Sequence, residues 1–508
     1  MTRPASLRPG RRHAKFSNAT VHVTGVAMAM SGAGMVLAGL VDALDGGPDV
    51  AALVGPGLAT TAVGLALRAF SSVPKRLPIR SVFVAVAITW GAVCIAGAIP
   101  YVTTGATVGW VDGLFESVAG FTTTGATVFS DVEALSAGML FWRALTQWLG
   151  GLGVIVLAVA VIPYLGAGGM TFVRAELPPA SEYLAPRVRE TARRLWGVYF
   201  SLTAVIFGAF ALGGMSAFDA AAHAFTTVST GGFSTRNANF GAFESATLEW
   251  IATVAMFAGG VNIVLVWRAV RGHVGPLLTS TEVRAYAILL AVVSALAIAW
   301  NQATTGLDHG TIREAVFSIV SVGSTTGFSV VDFGGWTQAS QAALLLLLFV
   351  GATTGSTGGG PKVLRLLAAI SYARREISRH LHPRLVAPVR IGREVLPDEV
   401  VSRILGYYAV FLLTVIGASI TVAAFDVDIT TSVSATVSAI SNVGPGLGAV
   451  SPGGGYFLLD APARAVLMLV MLMGRIEIYP VLLGLAAIPD NLRSVVPARV
   501  ARAVTRQL

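Results

Sequence analysis

Four short stretches of glycine and small polar residues recur along the chain at intervals of roughly 100 residues, which indicates one structural unit used four times. Glycine permits the left-handed backbone that turns successive carbonyl groups to one side, and threonine and serine hydroxyls supply further oxygen ligands. Rings of such oxygens replace the water around a cation in a selectivity filter. The stretches are Thr122–Thr127, Val228–Ser234, Ser324–Ser329 and Asn442–Gly446.

We number these stretches glycine loops 1 to 4 and predict that three residues of each coordinate a cation. None of them contains a carboxylate, and neutral oxygens suit a weakly hydrated monovalent cation better than Ca²⁺ or Mg²⁺. We assign Gly125, Gly231, Gly327 and Gly444 as the central glycines. The predicted ligands are Thr123, Thr124 and Gly125; Ser229, Thr230 and Gly231; Thr325, Thr326 and Gly327; and Asn442, Val443 and Gly444.

The composition places these loops in a membrane protein. The chain has 508 residues, of which 54% are apolar and only 12% charged, whereas soluble domains carry about 25% charged residues. The net charge of +9 comes mostly from short arginine-rich loops, as the positive-inside rule expects, so we predict no nucleic-acid partner. The single cysteine, Cys94, excludes a disulfide within the chain.

The hydropathy pattern predicts ten spans and four shorter segments that cannot cross the bilayer. Each short segment has about a dozen residues, or roughly 18 Å as a helix, and leads directly into a glycine loop. We call these half-spans pore helices and predict them at 111–122, 217–228, 311–323 and 430–441. The predicted spans are 20–44, 49–71, 80–103, 136–164, 194–214, 245–270, 282–302, 337–370, 401–425 and 459–489.

The predicted fold is therefore an all-α polytopic membrane protein. It has four span–pore-helix–span repeats with pseudo-fourfold symmetry and an extra N-terminal helix pair. The predicted divisions are an N-terminal tail with the extra pair at 1–75, repeats at 76–170, 190–275, 280–375 and 395–490, and a tail at 491–508.

Loop charges predict the orientation of the chain in the membrane. Arginine-rich loops and both termini should be cytoplasmic, and the acidic side, onto which the pore helices open, should face outward. The acidic residues there either raise the local cation concentration at a pore mouth or simply reflect the scarcity of Arg and Lys in exported loops. Arg236, Arg313 and Arg464 oppose the trend, and Arg143, near the outer start of its span, is expected to extend toward the interface.

Two further features lie within predicted spans. The run Gly351–Gly360 should break its helix, because each glycine costs about 1 kcal/mol relative to alanine. It is not a phosphate-binding loop, since Pro361 separates Gly360 from Lys362 and no strand precedes it. Arg475 is a costly charge at membrane depth, and Glu477, two residues later, faces a different side of the helix.

The chain resembles the Trk/Ktr/HKT superfamily of cation transporters over about residues 20–495. The resemblance rests on the glycine loops, the motif Trp142–Gly153 and the run Gly351–Gly360, and Asn442–Gly448 with the extra helix pair indicates the bacterial TrkH branch. It implies that the central glycines select K⁺, since Gly125 stands where Na⁺-selective plant relatives have serine. It also implies a homodimer that binds cytosolic, nucleotide-binding TrkA-type regulatory subunits.

The resemblance also implies a gate beneath the filter. Its residues are Gly351, Gly355, Gly358, Gly359, Gly360 and Arg475. The alternatives are a helix break that serves only packing and a purely structural role for Arg475.

The resulting functional prediction is uptake of K⁺, the transported ion, across a bacterial inner membrane. We expect lipid around the spans and no organic cofactor. The alternative is an ion-coupled secondary transporter of Na⁺ or another small solute, but the glycine loops contain no ionisable coupling residue. An enzyme is not expected, because the scattered histidines form no catalytic cluster.

Overall fold

The computed structural model describes residues 16–72, 79–160, 184–385, 387–392, 394–479 and 481–482, and it confirms the predicted all-α architecture. The described residues form seventeen α-helices, two short strand pairs (β1, Phe16–Ser17, with β2, Ser71–Ser72; β3, Val389–Ile391, with β4, Glu394–Leu396) and a few 3₁₀ turns. The helices are α1 (Ala19–Asp45), α2 (Val50–Phe70), α3 (Ile79–Thr103), α4 (Trp110–Phe121), α5 (Ala137–Ala160), α6 (Leu184–Leu212), α7 (Ala217–Val228), α8 (Ala246–Gly259), α9 (Ile263–Val270), α10 (Gly275–Thr279), α11 (Thr281–Thr305), α12 (His309–Gly323), α13 (Gln338–Leu348), α14 (Val363–Leu381), α15 (Asp398–Ala423), α16 (Ile429–Ser441) and α17 (Ala461–Arg475).

The distribution of polar and apolar side chains is that of a membrane protein. Six of the described helices are long and apolar enough to cross a bilayer. Large apolar side chains such as Leu40, Leu413 and Ile420 are exposed on outer helices, whereas many serine and threonine side chains at the centre are buried. The polar groups therefore converge inside the protein and the apolar ones face outward.

The extra N-terminal helix pair is confirmed. α1 and α2 run antiparallel and approach through glycines, as at Gly25 and Gly64, where a Cβ atom would lie within 3 Å of the facing backbone. Small residues give such close backbone approach between membrane helices. Asp42 joins the pair to repeat 1, since its carboxylate accepts hydrogen bonds from the N–H groups of Asp49 (2.8 Å) and Gly138 (3.0 Å).

The four pore helices α4, α7, α12 and α16 occur within two residues of their predicted ends and contain 12, 12, 15 and 13 residues. Three of them have an N-cap residue whose side chain accepts a hydrogen bond from a backbone N–H group in the first turn: Ser216, Asp308 and Asp428. Such caps satisfy N–H groups that have no partner within the helix.

The repeats close into a ring. The second span of each repeat packs against the pore helix of the next: α5 against α7, α8 against α12, α13 against α16, and α17 of repeat 4 against α4 of repeat 1. This arrangement gives the predicted pseudo-fourfold order around one axis.

Two predicted spans are interrupted. The single helix expected over 245–270 is wrong, because α8 ends at Gly259 and α9 begins at Ile263. The span expected over 337–370 contains, as predicted, a break at its glycine run; we call residues 349–362 the intramembrane loop. The two breaks meet: the N–H of Thr353 donates to the carbonyl of Gly260 (2.9 Å), and the N–H of Ile263 donates to that of Gly355 (3.1 Å).

Candidate ion-binding site

The four glycine loops share one backbone conformation, which starts at the C-terminus of each pore helix. In each loop, a residue that is not glycine has a positive φ, and we call it the first position. The next residue is the second position. The residue after that, the third position, is a glycine that also has a positive φ. The first positions are Thr123 (52°), Thr230 (53°), Thr325 (62°) and Asn442 (52°). The third positions are Gly125 (76°), Gly232 (80°), Gly327 (82°) and Gly444 (101°). Such strained backbone clusters at functional sites.

The structure corrects the assignment of the central glycine in loop 2. Gly232 is in the third position with Gly125, whereas Gly231 has no positive φ. The N–H of Gly231 donates to the carbonyl of Thr226 (2.7 Å), as that of Thr124 donates to Ala119 (2.8 Å). Gly231 is therefore a second-position residue and remains part of the loop.

The sequence contains a signal that Gly232 is equivalent to Gly327, and the assignment of Gly231 as the central glycine did not use it. Glycine, phenylalanine and serine follow one another at Gly232–Ser234 and again at Gly327–Ser329. Aligning these two triplets pairs Gly232 with Gly327, as the structure does.

The loops contact one another in a closed circle. A Cβ atom built on each third-position glycine would overlap the second-position carbonyl oxygen of the following loop. The pairs are Gly125 with Gly231, Gly232 with Thr326, Gly327 with Val443, and Gly444 with Thr124. Only glycine allows both this approach and the left-handed φ. All four loops therefore lie around one axis, each beside the next.

Side-chain oxygens surround this ring. The hydroxyls of Thr122 and Thr124 are 2.8 Å apart, and the side-chain amide of Asn442 donates to the Thr124 hydroxyl (3.0 Å). The Thr123 hydroxyl and the Asn442 side-chain oxygen are buried without a hydrogen-bond partner among the described residues. Unpaired buried oxygens are rare and call for an ion or water, and oxygens alone are the ligands of a hard cation.

Loop 1 rests on a buried ion pair that the sequence analysis did not identify. Arg143 is 2% exposed, and its guanidinium lies 3.4 Å from the carboxylate of Glu116. Glu116 accepts hydrogen bonds from the Thr127 hydroxyl and from the Val128 N–H (2.7 Å), while Arg143 donates to the Ser234 carbonyl (3.2 Å). The expectation that Arg143 extends to the interface is wrong, because Glu116 from the pore helix pairs with it inside the protein.

The three arginines that oppose the charge trend on the acidic side each pair with a carboxylate. Arg236 lies 2.8 Å from Asp219 within repeat 2. The other two pairs join neighbouring repeats: Arg313 with Glu249 (2.6 Å) and Arg464 with Asp112 (3.0 Å). The last two pairs are partly buried and link neighbouring repeats, although ion pairs near the surface usually contribute little to stability.

The predicted gate residues come together directly beneath the ring. Gly351, Gly355 and Gly360 adopt positive φ angles of 73°, 79° and 73° in the intramembrane loop. A Cβ atom on Gly351 would lie 2.9 Å from the Cα of Gly360, so the two ends of the run are in contact. The Lys362 ammonium donates to the carbonyl of Gly358.

The intramembrane loop is bonded to the pore helices and glycine loops above it. The N–H of Gly359 donates to the Thr325 hydroxyl (2.7 Å), and the Thr357 hydroxyl donates to the carbonyl of Val228 (3.0 Å). Arg475, 4% exposed, donates to the Thr357 carbonyl (2.9 Å). Its Nε and Nη2 atoms are buried without partners among the described residues.

Glu477 and Glu282 occupy separate positions around the same loop. Glu477 does not pair with Arg475, as predicted, but with Arg365 (2.8 Å), whose guanidinium also stacks on the Tyr407 ring. Glu282, which the sequence analysis did not identify, accepts hydrogen bonds from the N–H groups of Thr354 (2.7 Å) and Leu364 (3.1 Å). One carboxylate thus bonds to Thr354 within the loop and to Leu364, in the first turn of the helix that follows it.

Four membrane repeats whose glycine loops meet on one axis are the architecture of a membrane transport protein. The TrkH family model, described as a cation transport protein, matches residues 57–492. The chain is 37% identical over 416 residues to the Trk system potassium uptake protein TrkH of Halomonas elongata, covering 80% of this chain and 85% of that protein. It is 34% identical over 410 residues to the protein of the same name from Escherichia coli strain K12, covering 79% and 84%.

A solved structure agrees with these matches. The crystal structure of the potassium transporter TrkH from Vibrio parahaemolyticus superimposes with a TM-score of 0.83 at 32% identity, covering 91% of this chain and 97% of that one. The chain therefore belongs to the TrkH family of cation transport proteins.

Proposed function

We propose that the protein takes up K⁺ across the bacterial cytoplasmic membrane through the axis formed by its four glycine loops. The observation that carries this proposal is the closed circle of third-position glycines and second-position carbonyls. Carbonyl dipoles in such a ring replace the hydration shell of a cation. Relatives that span most of the chain are named as potassium uptake proteins.

The proposed ligands are the twelve residues predicted from the sequence, with Gly232 in the third position of loop 2. The second-position carbonyls of Thr124, Gly231, Thr326 and Val443 form one level of oxygens. The unpaired Thr123 and Asn442 side-chain oxygens would complete a level at the first position. All of these ligands are neutral, which suits a weakly hydrated monovalent cation better than Ca²⁺ or Mg²⁺.

The acidic side would be the entrance, with both termini cytoplasmic. Several carboxylates there are hydrogen-bonded outside the spans: bonds from Asn237 lower the pKa of Asp131, and bonds from Thr431 lower the pKa of Asp428. These groups therefore remain ionised even at mildly acidic pH. Their charge raises the local cation concentration at the pore mouth.

The intramembrane loop and Arg475 would form the gate beneath the ring, with Gly351, Gly355, Gly358, Gly359 and Gly360 providing its flexibility. The loop is bonded to the glycine loops above and attached to Glu282, so a movement of either end changes the space below the ring. As for partners, we propose a homodimer and TrkA-type regulatory subunits that bind at basic cytoplasmic segments such as the C-terminal part of α14.

The direct test is ion flux through purified protein in liposomes, with K⁺, Rb⁺ and Na⁺ compared, alongside growth of a K⁺-uptake-deficient strain at low K⁺. We expect K⁺ and Rb⁺ to pass in preference to Na⁺ and the strain to grow. Equal K⁺ and Na⁺ flux would contradict the filter, and uptake that required an organic solute would favour a secondary transporter instead.

Glu282→Ala is expected to raise basal K⁺ flux by roughly fivefold, which corresponds to about 1 kcal/mol of gate stability and is of the size expected when hydrogen bonds are lost. The substitution removes both hydrogen bonds that the Glu282 carboxylate accepts, from Thr354 in the intramembrane loop and from Leu364 just after it. Flux of tracer Rb⁺ into liposomes measures the change. The matched control is Glu399→Ala on α15, an exposed glutamate outside the loop. Wild-type flux in Glu282→Ala would show that the Glu282 carboxylate does not act in the gate.

A further inference from the structure

Gln147 is completely buried on α5 of repeat 1, yet both hydrogen bonds of its side chain among the described residues go to glycine loop 2 of the next repeat. Its amide nitrogen donates to the carbonyl of Gly231 (2.6 Å), and its amide oxygen accepts from the N–H of Phe233 (3.1 Å). One side chain thus bridges the residues on both sides of the third-position Gly232.

The second position of loop 2 differs from that of the other three loops. Thr124, Thr326 and Val443 carry side chains there, whereas loop 2 has Gly231. The φ of Gly231 is not left-handed, so its backbone would accept a side chain. The space is filled instead: a Cβ atom on Gly231 would overlap the amide group of Gln147.

The threonines at the equivalent positions support their own loops. The Thr326 hydroxyl lies 2.7 Å from that of Ser324, just as that of Thr124 lies 2.8 Å from Thr122. Gly231 has no side chain for such a bond. The amide of Gln147 occupies the corresponding space and bonds the loop from outside.

This contact acts on a carbonyl of the proposed ring. The Gly231 oxygen is the one that faces the Cα of Gly125 in loop 1. A carbonyl has two lone pairs, so an amide donor engages one and leaves the other for an ion. The donor also withdraws charge from the oxygen, and both the size of the cavity between the oxygens and their field strength bear on the discrimination between K⁺ and Na⁺ in such a filter.

We propose that Gln147 is a positioning residue for ion selectivity: it substitutes for the missing second-position side chain of loop 2 and fixes the Gly231 carbonyl in the ring. The proposal rests on the proposed function of the ring. Loss of the amide leaves this carbonyl free to move, so the ring can contract around a smaller ion. Selectivity for K⁺ over Na⁺ then falls, while the rest of the pore persists.

The experiment compares K⁺ and Na⁺ permeability, by reversal potential and flux, for the full-length protein in liposomes. Gln147→Leu keeps the size of the side chain without its hydrogen bonds, and Gly231→Thr introduces a side chain into the occupied space. We expect each to lower the K⁺ to Na⁺ ratio by roughly fivefold, which corresponds to about 1 kcal/mol between the two ions.

A double variant separates positioning from general damage. Gln147→Ala with Gly231→Thr empties the space and gives loop 2 the residue found in loops 1 and 3. We expect it to recover most of the ratio lost in Gln147→Ala alone, since contacting residues couple non-additively. The matched control is Gln341→Leu, because the Gln341 amide also donates to two carbonyls, of Gly334 (2.7 Å) and Trp336 (2.9 Å), but away from the ring. It should keep the wild-type ratio.

The outcomes are distinct. A wild-type ratio in Gln147→Leu, or a double variant no more selective than Gln147→Ala, would overturn the role of Gln147 while leaving the K⁺ pore intact. If the single variants do not fold, the double variant decides the question. Preference for K⁺ over Na⁺ in the double variant supports the idea that a second-position side chain in loop 2 can replace the Gln147 amide, and loss of that preference refutes it. A wild-type protein without K⁺ preference would overturn the proposed function itself.

Discussion

Gly125→Ser is expected to lower the preference for K⁺ over Na⁺ by about tenfold or more, equivalent to at least about 1.4 kcal/mol between the two ions. Two effects combine. The φ of Gly125 is 76°, a conformation that costs a non-glycine residue roughly 1–2 kcal/mol. The new Cβ would also overlap the carbonyl oxygen of Gly231, so the ring of oxygens must open at the contact between loops 1 and 2.

The measurement is the permeability ratio of the protein in liposomes, with total flux recorded separately. Gly105→Ser is the matched control, since Gly105 has nearly the same φ (72°) but would meet no atom within 4 Å. It shares the backbone strain and lacks the contact. An unchanged ratio in Gly125→Ser, with a folded protein, would remove Gly125 from the filter.

Arg475→Ala is expected to raise K⁺ flux by about tenfold, the effect of lowering a barrier by about 1.4 kcal/mol. Arg475 places a positive charge below the ring, and two of its nitrogens are buried without partners among the described residues. Its remaining bond, to the Thr357 carbonyl, attaches it to the intramembrane loop. Alanine removes both the repulsion of a passing cation and this attachment.

Arg475→Lys separates the two contributions. Lysine keeps the charge but not the planar donor geometry, so flux near wild type would attribute the barrier to charge, and flux near that of the alanine variant would attribute it to the contact with Thr357. Initial rates of Rb⁺ uptake, normalised to reconstituted protein, measure both variants. Flux in Arg475→Ala at or below the wild-type rate would contradict a barrier at this residue.

The sequence by itself determined the repeats, the pore helices and the break in the eighth span. Span length and apolar content are local properties that the bilayer thickness translates directly into structure. The ends of α7 coincide with the prediction, and α4, α12 and α16 differ from it by one or two residues. The break at Gly351–Gly360 was predictable because half of its ten residues are glycines, which disfavour helical backbone.

The tertiary structure decided which groups face one another. Gly231 and Gly232 are adjacent glycines, and the repeated Gly-Phe-Ser triplet only suggests which of them is equivalent to Gly327; the contact with the Thr326 carbonyl of loop 3 shows that it is Gly232. The burial of Arg143 depends on Glu116 from another helix, and the break between α8 and α9 depends on the intramembrane loop bonded to it. A side chain's partner across the fold is set by how the repeats pack around the axis, and this long-range geometry is not written in any one segment of the chain.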